Sequence, residues 1–439
     1  MNLGFVLTNE YIGAVSTDKF GKLATWEIKE DTRKHEDKID ECLSLVLTRP
    51  ARKKKSGTIR RIGIVTDIVK TALDNPNELD KVTLVRLSSP EGKDCPPLVT
   101  DFLSNEILTT KIIAGGRGFD GRIISDVDLK QVEDAYNQTK NVSPSFVVSS
   151  PFSILFPEQE EMVRKSLLDL GAKKVWTTAD VSSLPSILDR ETTAILSAAS
   201  SVVLEKFYNK IRHSLQQFEI GIDPYFGRND GTVALGSFVK KFPLDTYWSV
   251  EGCSISGIAR SSRTRRGLVA GRSAHKLWLG GYSDGAPLLR QIGFVGNMLV
   301  HVDNPILADL TDYDHNESTK FICEAFFDLV GTHTIVVTGL EKSKKFPFPV
   351  KHAHLSKVAA AFNVATAGVK FRASRCKAKG VNVEEAKKRF ESWAKTQFVS
   401  MGGVRSSFNL SKVEIIPAYN LPEGSVRLNV IATGKAGQD

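Results

Sequence analysis

The sequence predicts an α/β protein. Segments with the two-residue alternation of β-strands take turns along the chain with segments that repeat apolar residues at helical spacing, as is typical of α/β folds. The 439 residues suffice for two to three domains of roughly 150 residues, or for two lobes that share one cleft. Hydrophobic residues make up 41% of the chain and charged residues 25%, which predicts a large core and excludes a disordered or fibrous protein.

The N-terminal part begins with short apolar runs within residues 2–28, which predict a meander of three strands. A helix is predicted over about 35–47, because its apolar residues fall on one face. Residues 61–73 then predict a strand that runs into a helix, and residues 81–87 predict a further strand. The glycine-rich segment 115–121 predicts a tight turn, since glycine adopts positive φ at little cost.

The central part predicts a strand within 143–152, a helix over 158–171 and another strand that begins at Lys173. A long helix rich in small residues follows from Arg190 to about Ile220. Residues 221–289 hold many glycines and prolines among short apolar runs, so we expect tight turns and a ligand-approaching loop there.

The C-terminal third predicts alternating elements again. A strand is expected over 333–340 and a helix of small residues over 352–369. An amphipathic helix at 383–398 precedes a closing pair of strands at 412–419 and 426–434. No internal repeat is visible.

The formal net charge of +9 is concentrated in two segments. Residues 49–61 contain seven basic residues and residues 259–276 contain six, and neither segment contains an acidic residue. We expect solvated loops, with an anionic small ligand as an alternative. Nucleic-acid binding is a weaker alternative, because no aromatic side chain accompanies these charges and no reader motif is present.

The sequence also predicts the compartment. No run approaches 18 consecutive apolar residues, and the N-terminus has no basic region before its apolar stretch, so we expect neither a membrane span nor a signal peptide. Five cysteines stand singly, which is typical of reduced thiols. We therefore expect a cytoplasmic protein.

Five segments in order resemble one family, the hydantoinase/oxoprolinase proteins of the hydantoinase A type. They are VRLSSPEGKDCPP (85–97), GGRGFDGRI (115–123), RETTAILSAA (190–199), NDGTVALGSFVKKFPLDT (229–246) and AYNLPEGSVRLNVIATG (418–434). The resemblance implies the two-lobed actin-like ATPase fold, with a ribonuclease-H-like sheet in each lobe and a nucleotide cleft between the lobes. It places an N-terminal lobe at 1–190 and a C-terminal lobe at 191–439. Characterised members open cyclic amides with ATP, and some relatives are carboxylase subunits.

The chain departs from that family where the nucleotide would bind. In the first phosphate hairpin a family Asp is Val6, and two family glycines are Thr8 and Asn9. In the second hairpin the metal-side Asp is Ala270. Residues 62–67 lack the family's threonines and histidine, and residues 337–341 keep a single glycine of its glycine-rich strand end. Because phosphoryl transfer with magnesium needs carboxylates and backbone donors, we expect that ATP hydrolysis is lost and that no cofactor is bound.

The retained turn from Asn229 to Thr232 is the strongest candidate site. Asp230 is assigned a catalytic role, and Asn229 and Thr232 are assigned to substrate binding, since amide, carboxylate and hydroxyl groups can orient a polar ligand. The alternative is a structural Asx turn, for which Asp-Gly is a common pair.

The altered hairpins supply the other candidates. Glu10 is a candidate general base, with a solvated turn carboxylate as the alternative, and Thr8 and Asn9 would bind substrate beside it. Arg272 could clamp a carboxylate and His275 could exchange protons near neutral pH; a surface loop is the alternative for both.

A metal site is not expected. His352 and His354 supply only two ligands, whereas a metal ion needs three or four that converge.

These observations lead to three functional hypotheses. The first is a hydantoinase-like enzyme that acts without ATP on a small organic metabolite in a specialised biosynthetic pathway, by cyclisation, ring opening, isomerisation or hydrolysis. The second is a non-catalytic subunit that binds a partner, since the resemblance implies homo- or hetero-oligomers. The third is an ATP-dependent cyclic-amide hydrolase.

Overall fold

The computed structural model describes residues 1–17, 23–30, 38, 40–41, 43–44, 59–88, 94–103, 106–262, 264–273, 276–311, 316–332, 335–337, 346, 348–353, 355 and 358–437. His275, His354 and most of the basic segment 49–61 lie outside these ranges. Five residues of the helix predicted at 35–47 are described, and all five are helical.

The strands are numbered here in chain order. They are β1 (Asn2–Leu7), β2 (Tyr11–Thr17), β3 (Leu23–Glu30), β4 (Arg61–Thr66), β5 (Val82–Leu87), β6 (Leu108–Ile113), β7 (Gly116–Arg117), β8 (Ile123–Ser125), β9 (Ser145–Ser149), β10 (Lys174–Thr177), β11 (Tyr225–Gly227), β12 (Val233–Leu235), β13 (Arg266–Ser273), β14 (Lys276–Ser283), β15 (Ala286–Pro287), β16 (Leu289–Arg290), β17 (Gly293–Val295), β18 (Met298–Val300), β19 (Asn304–Pro305), β20 (Leu307–Asp309), β21 (Ile335–Val337), β22 (Val350–His352), β23 (Val369–Lys377), β24 (Asn409–Pro417) and β25 (Val426–Gly434).

The helices are numbered in the same way. They are α1 (Ile68–Asp74), α2 (Leu129–Thr139), α3 (Glu158–Asp169), α4 (Thr178–Val181), α5 (Ile187–Gln217), α6 (Gly236–Val239), α7 (Ser249–Ser262), α8 (Asn316–Val330), α9 (Ala359–Thr366) and α10 (Val383–Ser400). Short 3-10 helices lie at Pro76–Glu78, Pro243–Thr246 and Arg405–Ser407.

Two sheets share one plan. In the first, the order is β12-β11-β4-β1-β2-β3, with the β1–β2 hairpin followed by β4 and β11 parallel to β1. In the second, the β13–β14 hairpin is followed by β21 and β22, both parallel to β13, and β15 and β20 pair with β14. A hairpin with parallel strands added beside its first strand is the ribonuclease-H-like arrangement. The predicted two-lobed actin-like ATPase fold is confirmed.

Two smaller layers complete the structure. The sheet β10-β9-β5-β6 is wholly parallel, and α2 and α3 pack on it. The C-terminal sheet β23-β25-β24 is antiparallel, and α10 packs against it. The first large sheet contains β11 and β12, so it takes strands from both sides of residue 190. The lobe boundary at that residue stays a prediction.

The predicted long helix is α5, which follows the N-cap Ser186 and is buried from Arg190 to Ser201. This helix packs against β9, β18 and α1. None of the helices in the described ranges combines the length and hydropathy that a membrane span requires. The four described cysteines are unpaired.

Helix α9 lies between the first sheet and α7, and glycines make this position accessible. A Cβ atom on Gly4 of β1 would lie 1.9 Å from the carbonyl oxygen of Ala361, and one on Gly257 of α7 would lie 2.0 Å from that of Ala359. Gly63 of β4 is similar, with 2.3 Å to the Val364 oxygen. Because these neighbours are backbone atoms, only glycine permits the contact.

We expect Gly4→Ala to lower the free energy of unfolding by about 1–3 kcal/mol, the usual range for overpacking a tight contact. The matched control is Gly221→Ala, because a Cβ there would meet nothing within 4 Å. Its change should stay within about 0.5 kcal/mol. Urea unfolding followed by circular dichroism measures both, and equal losses in the two variants would contradict the close-packing argument.

Candidate functional site

The turn between β1 and β2 contains Thr8, Asn9 and Glu10. The N–H and the hydroxyl of Thr8 each lie 3.1 Å from the carbonyl oxygen of Tyr11, so Thr8 closes the turn. The N–H of Asn9 donates to Asp67 Oδ2 at 3.3 Å, and its side-chain amide donates to Thr71 Oγ1 at 2.7 Å. The turn is therefore docked on the N-terminal end of α1, and a backbone donor that could face a phosphate is bonded to a carboxylate.

A buried lysine supports the same turn. The ammonium of Lys38, whose side chain is buried, donates to the carbonyl oxygens of Thr8 at 2.7 Å and Asn9 at 3.2 Å. Burial, and secondarily the charge of Asp67, raises the pKa of Tyr11 well above its ordinary value. The hairpin tip is thus fixed by polar groups of the chain itself.

A bridge of side chains connects the first hairpin region to the second. Lys70 of α1 pairs with Glu251 of α7 at 3.1 Å, and Ser273 at the end of β13 donates to Glu251 Oε1 at 2.6 Å. Glu251 is almost fully buried, and its charge raises the pKa of Lys70 well above the ordinary lysine value. The bridge joins three elements where both hairpins end.

The remaining hairpin candidates lie near this bridge. Arg272 precedes Ser273 on β13 and is exposed, while Glu10 is half-buried beside Asn9. His275 lies outside the described residues. The structure therefore places Asn9 against α1, and Ser273 of the second hairpin reaches the same helix through Glu251 and Lys70. Their functional roles stay predictions.

The Asn229–Thr232 turn forms a second cluster, in which Asn229 is hydrogen-bonded to backbone groups of the protein. Its side-chain N–H donates to the carbonyl oxygen of Leu244 at 2.8 Å, and its Oδ1 accepts from the N–H of Trp248 at 2.8 Å. Its own N–H donates to the carbonyl oxygen of Asp245 at 2.7 Å. These three hydrogen bonds hold residues 244–248 beside the turn.

Asp230 forms the Asx turn and keeps one oxygen unused. Its Oδ1 accepts from the N–H of Thr232 at 3.0 Å and from the Thr232 hydroxyl at 2.6 Å. Among the described residues, no donor is hydrogen-bonded to the buried Oδ2, although Arg228 Nη1 lies 3.7 Å away and Lys370 Nζ 3.8 Å away. Burial opposes ionisation of Asp230, but the charges of Arg228 and Lys370 outweigh it and lower the pKa of the carboxyl.

Arg228 is the cation at the start of this turn, and it has partners on two other segments. Its Nη2 lies 2.8 Å from Asp245 Oδ2, and its Nη1 donates to the carbonyl oxygen of Lys370 at 2.8 Å. Burial disfavours its charge, yet Asp245 and Asp230 raise the pKa of the guanidinium above its ordinary value. Arg228 therefore stays charged and connects the turn to β23.

A second carboxylate, Asp303, pairs with another residue of β23. Lys370 and Arg372 are two residues apart on β23, so their side chains share one face of the strand and stand about 7 Å apart. Lys370 faces Asp230, and Arg372 Nη1 lies 3.2 Å from Asp303 Oδ1. Burial raises the pKa of Asp303, although Arg372 opposes this shift. Two carboxyl groups whose surroundings shift their pKa values in opposite directions are a common basis for acid and base roles.

His301 completes the cluster. Its Nδ1 accepts from the N–H of Ser183 at 3.2 Å, so the proton of the neutral ring is on Nε2. Burial, followed by the charges of Arg427 and Arg372, lowers the pKa of His301 to about 4. At neutral pH it is an uncharged hydrogen-bond donor.

Sequence reasoning missed Asp303, Arg372 and His301. The available signal was the spacing of Lys370 and Arg372 two residues apart within a strand, which puts two cations on one face and indicates acidic partners there.

Helix α7 contributes Glu251 to the bridge and contacts the Asn229–Thr232 turn of the second cluster. Glu251 belongs to the bridge, and the next residue, Gly252, contacts the turn so closely that a Cβ atom would lie 2.0 Å from the carbonyl oxygen of Asn229. Gly231 packs on the next helical turn against Ser256. The two clusters are therefore separated by one helix backbone.

No family model and no curated protein matches the chain. Two solved structures are similar to it over almost its whole length. A nucleotide-free acetone carboxylase, described for ATP-dependent acetone carboxylation, has a TM-score of 0.74 and 9% identity, and the match covers 99% of this chain and 88% of that chain. The ATP-dependent caprolactamase from Pseudomonas jessenii has a TM-score of 0.70 and 9% identity, with 99% and 87% covered.

Both enzymes are hydantoinase/oxoprolinase proteins, the family that the sequence resembles. At 9% identity the similarity concerns the fold. It confirms the predicted fold along the whole described chain.

We expect Asp230→Asn to lower the free energy of unfolding at pH 7 by about 1–3 kcal/mol, because the buried Arg228 and the half-buried Lys370 lose a charged partner. The folded-state pKa of Asp230 is lowered, so its contribution is present above the unfolded pKa and lost as pH falls through the folded value. The difference between variant and wild type should therefore shrink toward pH 3.

Urea unfolding at several pH values measures this difference. The control is Asp134→Asn, which removes an exposed carboxylate of α2 and should change stability little at any pH. A loss for Asp230→Asn that persists unchanged at the lowest pH would contradict the charge argument.

Proposed function

We propose that the protein is a hydantoinase-like enzyme that acts without ATP on a small polar organic molecule in the cleft between its lobes. The reaction would be a cyclisation, ring opening, isomerisation or hydrolysis. The observation that carries the proposal is the buried Asp230 carboxylate, whose Oδ2 has no hydrogen-bond donor among the described residues. An unsatisfied buried acceptor costs free energy, which a ligand N–H or O–H would recover.

Asp230 and Asp303 would have different roles within this site. Asp230 is held ionised by Arg228 and Lys370 and would accept hydrogen bonds from the substrate. Asp303, with its raised pKa, would exchange a proton with the substrate, while Arg372 stabilises its ionised form. His301 would donate from Nε2 without carrying charge. Glu10 and His275 of the hairpins remain proposed partners.

The hairpin region supports a reaction without ATP. The Asn9 N–H is bonded to Asp67, and Glu251 takes part in the bridge with Lys70 and Ser273. Asp67 and Glu251 are each bonded to a hairpin that the resemblance assigns to phosphate binding, and a carboxylate beside a phosphate would repel it. The substitutions at Val6 and Ala270 remove the metal-side carboxylates that the family carries.

The first experiment is thermal unfolding with ATP or ADP, each with Mg²⁺. We expect no change in Tm, whereas a ligand present at 100 times its Kd would stabilise the protein by about 2.7 kcal/mol. The caprolactamase from Pseudomonas jessenii, described as ATP-dependent, is the positive control. A rise in Tm would instead favour an ATP-dependent cyclic-amide hydrolase, the alternative that the ATP-dependent relatives of the same fold support.

The second experiment tests for catalysis. The protein is incubated with a library of small metabolites, and mass spectrometry follows the disappearance of each compound. We expect a conversion that Asp230→Asn and Glu10→Gln abolish and that the exposed control Asp134→Asn retains, provided that circular dichroism shows all variants folded. A conversion that both site variants retain would refute the site assignment, and no conversion would favour a non-catalytic subunit.

The subunit alternative also has structural support. Phe119, Ile123 and Ile124 expose 54%, 52% and 66% of their surface in one glycine-rich segment. Exposed apolar residues grouped in this way are common at protein interfaces. Stoichiometric co-purification of a partner that is lost on Ile124→Ser, and retained on Asp230→Asn, would support it.

A further inference from the structure

We infer a second ligand site, formed between β23 and α10, for a small organic anion with an apolar portion. The two elements line an open surface cavity of about 350 Å³, within the volume range of small-molecule sites. Its polar and aromatic lining includes Arg375, Lys377, Glu385, Arg389 and Trp393. Arg389 is paired with Glu385 and Arg375 with Asp180, so Lys377 supplies the positive charge that favours an anion in the cavity.

Arg375 and Lys377 of β23 both line the cavity. Arg375 and Lys377 alternate on β23, so both side chains leave the same face of the strand. Arg375 is oriented by Asp180, with 3.1 Å between Nη2 and Oδ1. Lys377 has no ion-pair partner among the described residues, and its charge is available to a ligand. The Glu385 carboxylate is already paired with Arg389 at 2.5 Å.

The opposite wall is aromatic. Trp393 stacks on Phe390 with 5.5 Å between ring centroids and 11° between planes, and the Arg375 guanidinium lies 5.1 Å from the Trp393 ring centroid. Phe371 contacts the same indole edge to face. A wall built in this way accepts an apolar group while the cations hold its carboxylate, which predicts a carboxylic acid with a ring or short apolar chain.

This site is independent of the proposed function. Lys370 and Arg372, which face Asp230 and Asp303, are even-numbered residues of β23, whereas Phe371, Arg375 and Lys377 are odd-numbered. Since strand side chains alternate, the two sets use opposite faces of one strand. The site can therefore exist whether or not the Asp230 cluster is catalytic.

Isothermal titration calorimetry with sodium benzoate tests the inference. We expect saturable binding with a stoichiometry of one, at least tenfold weaker in Lys377→Gln. The matched control is Lys388→Gln, which removes the same charge from an exposed position of α10 outside the cavity lining and should leave the affinity unchanged. Benzyl alcohol has the same ring without the charge, and we expect it to bind at least tenfold more weakly than benzoate.

Three outcomes would overturn the proposal: no saturable heat with benzoate, equal weakening by Lys377→Gln and Lys388→Gln, or equal affinity for benzoate and benzyl alcohol. A second variant, Trp393→Leu, tests the aromatic wall. Its expected effect is also at least a tenfold loss, and retained affinity would refute the wall's role. Unchanged Tm in Lys377→Gln separates loss of the site from loss of the fold.

Discussion

The contact between helix α9 and the backbones around it is the constraint on which the rest of the structure depends. Gly4 and Gly63 of the first sheet and Gly257 of α7 allow the carbonyl oxygens of α9 to lie where a Cβ atom would otherwise stand. Because the contact is made by backbone atoms, a side-chain rotamer cannot relieve an added methyl group. The position of α7 relative to the first sheet follows from this contact, and α7 in turn carries Glu251 and supports the Asn229–Thr232 turn.

The buried charges depend on that placement. Each carboxylate of the two clusters has a cation from a distant part of the chain: Lys70 for Glu251, Lys370 for Asp230, and Arg372 for Asp303. Removing charges from water is costly, so such pairs contribute little net stability. Their effect is instead to specify one arrangement, because a shift of β23 or α7 would leave a buried charge without its partner.

The sequence predicted the fold well, because strand and helix patterns are local. The first hairpin, the strand and helix at 61–73, the long helix and the closing strands all follow from local periodicity. One error shows the limit of such patterns. The helix predicted over 352–369 is shorter at both ends, since α9 spans Ala359–Thr366 and His352 belongs to strand β22. Strand β23, which begins at Val369, was missed. Small apolar residues run on past Thr366, but the backbone of Ala367 is extended and the helix ends there.

The candidate site was less predictable, because its members meet only in the folded chain. An Asp-Gly turn can be recognised locally, so Asp230 was found, whereas Asp303 has no local pattern and meets Arg372 across 69 residues. The same reasoning applies to the cleft. The sequence showed that Val6 and Ala270 stand where the family that it resembles has carboxylates. It did not show the Lys70–Glu251–Ser273 bridge. That bridge joins the hairpin regions by side chains of the protein alone, and so gives the two lobes a connection that requires no bound nucleotide.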